Sequence, residues 1–233
     1  MPDTDTKTRI LIAAETIFAE KGYQNATVAE ICERAEANIA AVNYHFGNKV
    51  KLYEAVLRFA YEVAQKKFPS QGKLSSEVCA ESRLETFIQA MILRAFCTSS
   101  AGAFPKFIVH EMTNPTELLE SVMRELMHRE INVLKEILKV LLPDDIPEFR
   151  RRFFGFNIMS MVMYFSFSEP ARRKFMAGKH LTPEQVNRLI RHITLFTLSG
   201  LKSAVDQLDE NLEKYPMAQD RSCCDKLPGK DKG

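Results

Sequence analysis

Asn43, Tyr44 and His45 stand side by side in the stretch NIAAVNYHFGNKVKLYEAV, residues 38–56. An Asn side chain offers an acceptor and two donors in one plane and can pair bidentately with adenine, while a phenol and an imidazole can reach phosphates or base edges. Ala40 and Ala41 come just before them; small side chains let a helix backbone approach base edges and contact thymine methyls. Lys49 follows a Gly-Asn turn, in the first turn of the next predicted helix. Its charge there adds to free backbone amides and suits a phosphate. Other chemistry is thinly supplied. The five histidines (His45, His110, His128, His180, His192) form no H-E-x-x-H, no two lie four apart, and no G-x-S-x-G, Walker loop or G-x-G-x-x-G occurs. Without a nucleophile–base or metal spacing, no enzyme activity, metal or cofactor is expected. His128, Arg129 and Glu130 read as a solvated helix face.

The elements that position these residues are predicted to be all α-helical, about nine helices in number. Ile10, Ala14, Ile17 and Phe18 recur at helical spacing up to a Gly22 stop. Thr27 with Glu30 is a capping box that opens a short second helix over Val28, Ile31 and Ala35. Asn38 caps a third, in which Ile39, Val42 and Phe46 are compatible with a shared face. Gly47 ends it, and Asn48 caps a fourth with a stripe of Leu52, Val56, Phe59 and Val63. Two short helices separated by Glu36–Asn38 match a helix-turn-helix, whose second helix enters the major groove. With Val42 and Phe46 turned inward, Ala40, Ala41, Asn43, Tyr44 and His45 face outward. Plain helical bundles carry the same caps, so spacing alone leaves both readings open.

The segment FAEKGYQNATVAEICERAEANIAAVNYHFGNKVKLYEAVL (18–57) resembles the amino-terminal domain of the TetR/AcrR family of one-component transcription regulators. The match spans residues 7–60 and is carried by Phe18, Lys21-Gly22-Tyr23, Thr27-Val28, Ile31, Ala35, Tyr44-His45-Phe46 and Lys49. The resemblance implies that Thr27 caps a helix and contacts phosphate. It implies that Ile39, Ala40, Ala41, Asn43, Tyr44 and His45 line a recognition helix and that Lys49 holds a phosphate. Two positions depart from the pattern: Glu36 stands where the family usually has a turn glycine, and Asn43 where many members have an aromatic residue.

Beyond a Ser-, Gly- and Pro-rich linker at 69–81, longer helices are predicted. Ser82 with Glu85 forms a capping box, Asn114-Pro115-Thr116-Glu117 opens a helix running to Leu142, and Pro147–Ser168 forms another. Thr182–Gln185 opens a last helix to about Leu208. FIVHEMTNPTELLESVM (107–123) resembles the subgroup with the cefoperazone- and chloramphenicol-sensitivity type of C-terminal domain. That resemblance implies a body that binds a small effector and forms a homodimer through its last two long helices. Phe87, Met91, Phe107 and Phe153 belong to a store of soft, bulky side chains that can form either a pocket wall or plain core. Arg94, His110, Glu111, Asn157 and Tyr164 are the polar groups among them, and these nine are the effector candidates. Phe149, Phe156, Val186, Leu189, Ile193, Phe196, Gly200, Leu201 and Ala204 are the dimer candidates, with intramolecular burial as the competing reading.

The expected organisation is a reading head at 6–60, a body at 61–212 and a disordered tail at 213–233. Net charge is +2, and residues 1–60 hold seven Lys/Arg against eight Asp/Glu, so DNA affinity must come from where positive charges sit. Five cysteines with no C-x-x-C pair and no secretory leader suit a reducing cytoplasm. The most apolar run, 153–167, is too short for a membrane span. Cys223 and Cys224, and the basic run 171–174, carry no assigned role. These readings make a ligand-responsive regulator, most simply a repressor, that binds a palindromic operator as a homodimer and is released by a small apolar or amphipathic effector. A helical small-molecule binder with a silent helix-turn-helix, and an activator of the same fold, are the alternatives.

Overall fold

The computed structural model describes residues 2–71, 78–116, 119–167, 174 and 181–211. Local capping sets the first four helices: α1 (Pro2–Asn25), α2 (Val28–Ala35), α3 (Ile39–Phe46) and α4 (Lys49–Lys67). At Gly22 the path of α1 leaves helical geometry (φ 73°, ψ 173°) and resumes for one further turn. The predicted box forms at α2. The Glu30 N–H donates to Thr27 Oγ1 at 3.2 Å, and the Thr27 N–H donates to Glu30 Oε2 at 3.0 Å. Asn38 and Asn48 cap α3 and α4 through the amides of Ala41 and Lys51 at 2.8 and 2.9 Å.

Glu36 takes up the left-handed conformation (φ 49°, ψ 49°) that the absent glycine would have adopted. A non-glycine residue there costs about 1–2 kcal/mol. Arg9 of α1 offsets part of it by fastening the turn, with Nε on the Ala35 carbonyl at 3.1 Å and Nη2 on the Glu36 carbonyl at 3.3 Å.

The body comprises α5 (Ala80–Phe96), a 3₁₀ turn at Ser100–Gly102, α6 (Ala103–Thr113), a π turn at Leu119–Met123, α7 (Arg124–Leu141), α8 (Glu148–Phe167) and α9 (Pro183–Asn211). Among the described residues there are nine α-helices and no strand, as the periodicity predicts. Two predicted starts shift. α5 begins at Ala80, ahead of the Ser82–Glu85 pair. The 114–117 segment does not open α7: Asn114 closes α6, its N–H bonded to the His110 carbonyl. Thr116 there turns its hydroxyl and amide onto Glu111, so tertiary contacts claim the start signals. The Thr182–Gln185 box forms as predicted.

Two cores organise the chain. The first gathers Ile10, Phe18, Ile31, Val42, Leu52, Tyr53 and Val56 from α1–α4 together with Phe104 and Phe107 of α6, Met123 of the π turn and Leu126 of α7. Each such side chain, fully buried, contributes about 1.5–3 kcal/mol. The second joins α5, α7, α8 and α9 through Leu84, Phe87, Ile88, Leu134, Ile137, Ile158, Val162 and Ile190. The close passage after α5 requires Gly102, where a Cβ would lie 2.0 Å from the Cys97 carbonyl oxygen. Residues 72–77 of the linker, the tail from 212, Cys223 and Cys224, and most of 168–180 lie outside the described residues.

Candidate nucleic-acid interface and ligand cavity

α3 is held by its two apolar anchors. Val42 is fully buried and Phe46 nearly so, which fixes the rotation of the helix and leaves the other side to solvent. Tyr44 is 78% exposed and Ile39 54%. Ala40 and Asn43 are exposed, whereas Ala41 and His45 are half-buried. The imidazole of His45 stands edge-on to the Tyr44 ring, their centroids 5.1 Å apart. All six positions predicted for the reading helix therefore lie on α3, four of them exposed and two half-buried.

Lys49, at the start of α4, is half-buried, its Nζ 4.4 Å from the centroid of the Tyr23 ring. A cation over an aromatic face is restrained in direction, and partial burial pushes the ammonium below its ordinary value. Thr27 is exposed, but its hydroxyl is already engaged, donating to Glu30 Oε2 at 3.0 Å while accepting from the Glu30 amide. Glu30 is neutralised from α1: Lys21 Nζ lies 2.5 Å from its Oε1. That bond first, and the Thr27 contacts second, hold the carboxyl down to about 2. The acidic member of the α2 cap is thus locked to a lysine, which offsets one negative charge of the segment.

The body holds a small, partly open apolar cavity of about 40 Å³. It is formed by α5, α6, α7 and α8, with Met91, Met127, Met159 and Met163 as its soft wall and Arg94 and Glu130 as its ionic residues. The Arg94–Glu130 pair is buried, with Nη1 2.7 Å from Oε1. From the same guanidinium, Nε and Nη2 donate to the Phe68 carbonyl at 3.1 and 2.6 Å. Phe68 closes α4, so a residue of the cavity wall grips the end of the helix that also begins with Lys49. Gln65 of α4 donates to Glu130 Oε1 as well.

Of the nine effector candidates, Met91 and Arg94 lie on this wall; the other seven are placed elsewhere. Phe87 is fully buried in the second core and Phe107 in the first. His110 and Glu111 fasten head to body. His110 Nε2 is 3.2 Å from the Ala19 carbonyl, and a Cβ at Gly22 would meet its Nδ1 at 3.0 Å. Glu111 accepts the buried Tyr53 hydroxyl at 2.8 Å. Phe153, Asn157 and Tyr164 are on exposed positions of α8.

The dimer candidates divide by helix face. Val186, Ile193 and Leu201 are buried in the second core, and Leu189 packs against it. Phe149, Phe156 and Phe196 are exposed, Phe156 by 71%, and Gly200 faces open space. Leu195, 63% exposed, belongs with them. The side chain of Ala204 lies outside the described residues.

Sequence reasoning missed Glu130, read as part of a solvated face. Its helical phase carried the signal: it lies four residues after Leu126 and four before Leu134, both buried. Among the described residues, no three His, Cys, Asp or Glu are grouped to hold a metal, and no single helix is long and apolar enough to cross a membrane.

A four-helix head displaying α3, joined to a helical body with an apolar cavity, defines a helix-turn-helix protein with a companion domain. Comparison with known proteins agrees with that class. The pattern of the bacterial regulatory proteins of the tetR family matches residues 10–56. That of the C-terminal domain of the HTH-type transcriptional dual regulator CecR matches residues 80–201. The chain belongs to the TetR family and carries the CecR type of C-terminal domain. It is 24% identical over 134 residues to the probable HTH-type transcriptional regulator YttP of Bacillus subtilis (strain 168), covering 58% of this chain and 63% of that protein. It is 30% identical over 118 residues to CecR of Shigella flexneri, covering 47% of this chain and 52% of CecR. These matches span less than two thirds of either relative. The crystal structure of AibR in complex with isovaleryl coenzyme A and operator DNA shares the fold, with a TM-score of 0.61 at 16% identity over 84% of this chain and 97% of AibR.

Proposed function

We propose that the protein is a ligand-responsive transcription regulator, working as a homodimer in the cytoplasm. Its α3 enters the major groove of an inverted-repeat operator. The observation that carries this is the rotation of α3: Val42 and Phe46 are anchored inside, and Ile39, Ala40, Asn43 and Tyr44 are left outside. Asn43 suits an adenine edge, and Tyr44 and His45 suit phosphate or base edges. Lys49, aligned on Tyr23, takes a phosphate, and Thr27 supports the same strand through the cap it forms.

The second copy joins through the faces of α8 and α9 that carry Phe149, Phe153, Phe156, Leu195, Phe196 and Gly200. Isolated chains seldom leave so many large apolar side chains in solvent on neighbouring helices. A dimer also fixes two recognition helices at one separation, as two half-sites require. The effector is a small molecule with a large apolar part, seated in the Met-walled cavity. It acts through the Arg94–Glu130 pair on the end of α4, and it releases DNA by binding better to a conformer whose heads are wrongly spaced. Repression relieved by ligand is the simplest outcome of that scheme.

The test is a gel shift on operator fragments selected from genomic DNA, with Tyr44→Ala/Lys49→Ala beside the wild type. The double variant should bind at least about tenfold more weakly, with a salt slope lower by about one, while light scattering still reports a dimer. Unchanged affinity would refute the assigned reading face. A wild-type protein that shifts no genomic fragment would favour a ligand-binding protein with a silent head.

A further inference from the structure

One polar atom beside the cavity is left without a partner. Glu130, a wall residue, is 4% exposed. Its Oε1 receives both the Arg94 guanidinium and the Gln65 amide. Its Oε2 is buried and has no hydrogen-bond partner among the described residues. A buried carboxylate oxygen has given up its bonds to water, and leaving it without a donor is costly. Folded interiors pair such atoms as a rule, so an exception on a cavity wall directs attention to a donor that arrives with a ligand. Of the neighbouring donors, Nε and Nη2 of Arg94 go to the Phe68 carbonyl, and the Gln65 amide nitrogen is shared between Glu130 Oε1 and the Tyr61 hydroxyl, the latter at 2.8 Å. The four wall methionines bring thioethers and carbon, with no donor among them.

Building on the reading of this cavity as the effector site, we propose that Glu130 sets its specificity. The cavity selects an apolar molecule carrying one hydrogen-bond donor, a hydroxyl or an ammonium, placed on Glu130 Oε2. It discriminates against a carboxylic acid of the same skeleton. A carboxylate entering here meets Glu130 as a like charge, and Arg94, the one cation on the wall among the described residues, is already paired with that same Glu130. The apolar remainder of the ligand lies on the methionine wall, which adapts to varied shapes.

Isothermal titration of the full-length protein near neutral pH with 1-decanol, decylamine and decanoate tests this. The alcohol and the amine are expected to bind at least about tenfold tighter than the acid, as one charge-assisted hydrogen bond warrants. In Glu130→Gln, checked for folding by circular dichroism, that preference should fall below about threefold. Met127→Trp, which fills the cavity, should abolish binding of all three. Decanoate binding as tightly as the donors overturns the proposal and leaves the cavity standing as an effector site. If none of the three binds the wild type, or if binding survives Met127→Trp, the proposal and the effector-site reading fall together. If Glu130→Gln does not fold, the ranking on the wild type and the Met127→Trp control decide.

Discussion

Tyr53→Phe isolates one atom of the joint between head and body. The Tyr53 ring is fully buried and packs against Phe18, Tyr23 and Phe107 with centroid separations of 4.8, 5.1 and 5.9 Å. A Phe keeps all of those contacts and creates no cavity, so what is lost is the hydroxyl that donates to Glu111 Oε1 at 2.8 Å. Glu111 is itself 1% exposed, and a hydrogen bond to a buried charged group is worth about 1.5–3 kcal/mol. The Thr116 hydroxyl and amide remain on the Glu111 carboxylate, which argues for the lower half of that range, about 2 kcal/mol. For a chain of this length, that loss lowers Tm by roughly 4–8 °C. The assay is calorimetric melting of wild type, Tyr53→Phe, Glu111→Gln and the double variant at one protein concentration. The double variant should melt close to the worse single variant, since the two changes remove one bond. Tyr53→Phe melting within about 1 °C of wild type, or fully additive losses, would refute a fastening role for the pair.

Two further outcomes follow from particular contacts. Gly22→Ala forces a side chain onto a left-handed φ of 73° and against His110 Nδ1 at 3.0 Å; we expect a loss of about 1–3 kcal/mol, read from urea midpoints, together with faster amide exchange along α6. The Glu30 carboxyl, ordinarily near 4.5, is held down to about 2 by Lys21 and Thr27. A depressed carboxylate stabilises the fold above its unfolded value and ceases to do so as pH falls through its folded one. The urea-midpoint gap between wild type and Glu30→Gln should therefore be constant above about pH 5 and vanish towards pH 2; a gap that persists at the acid end would sink the capping account.

The features legible in the sequence are those whose partners lie close along the chain. Thr27 and Glu30 are three residues apart, as are Asn38 and Ala41, and each pair forms the bond its spacing predicts. The inward turn of Val42 and Phe46, and with it the outward face of α3, follows from the same short-range periodicity. Illegible were the bonds that cross the fold. His110 and Glu111 look like pocket polar groups until Ala19 and Tyr53, 91 and 58 residues away, appear beside them. The 114–117 start signals were overridden for the same reason, because a carboxylate brought in by α6 captures Thr116. Glu130 was hidden by its neighbours: His128 and Arg129 are exposed, and a charged triplet suggests solvent unless its helical phase is followed. On α8 and α9 the sequence indicates only breadth of apolar cover, which cannot separate Val186 and Ile193, turned to the core, from Phe156 and Phe196, turned away.

The first core has a consequence for protein engineering. Because Phe104, Phe107 and Met123 are packed among the side chains of α1–α4, the DNA-reading segment is no interchangeable cassette. Excised, it would bare an aromatic flank to water. Grafted onto a relative's body, it would need that body to supply a matching Phe, His and Glu in register.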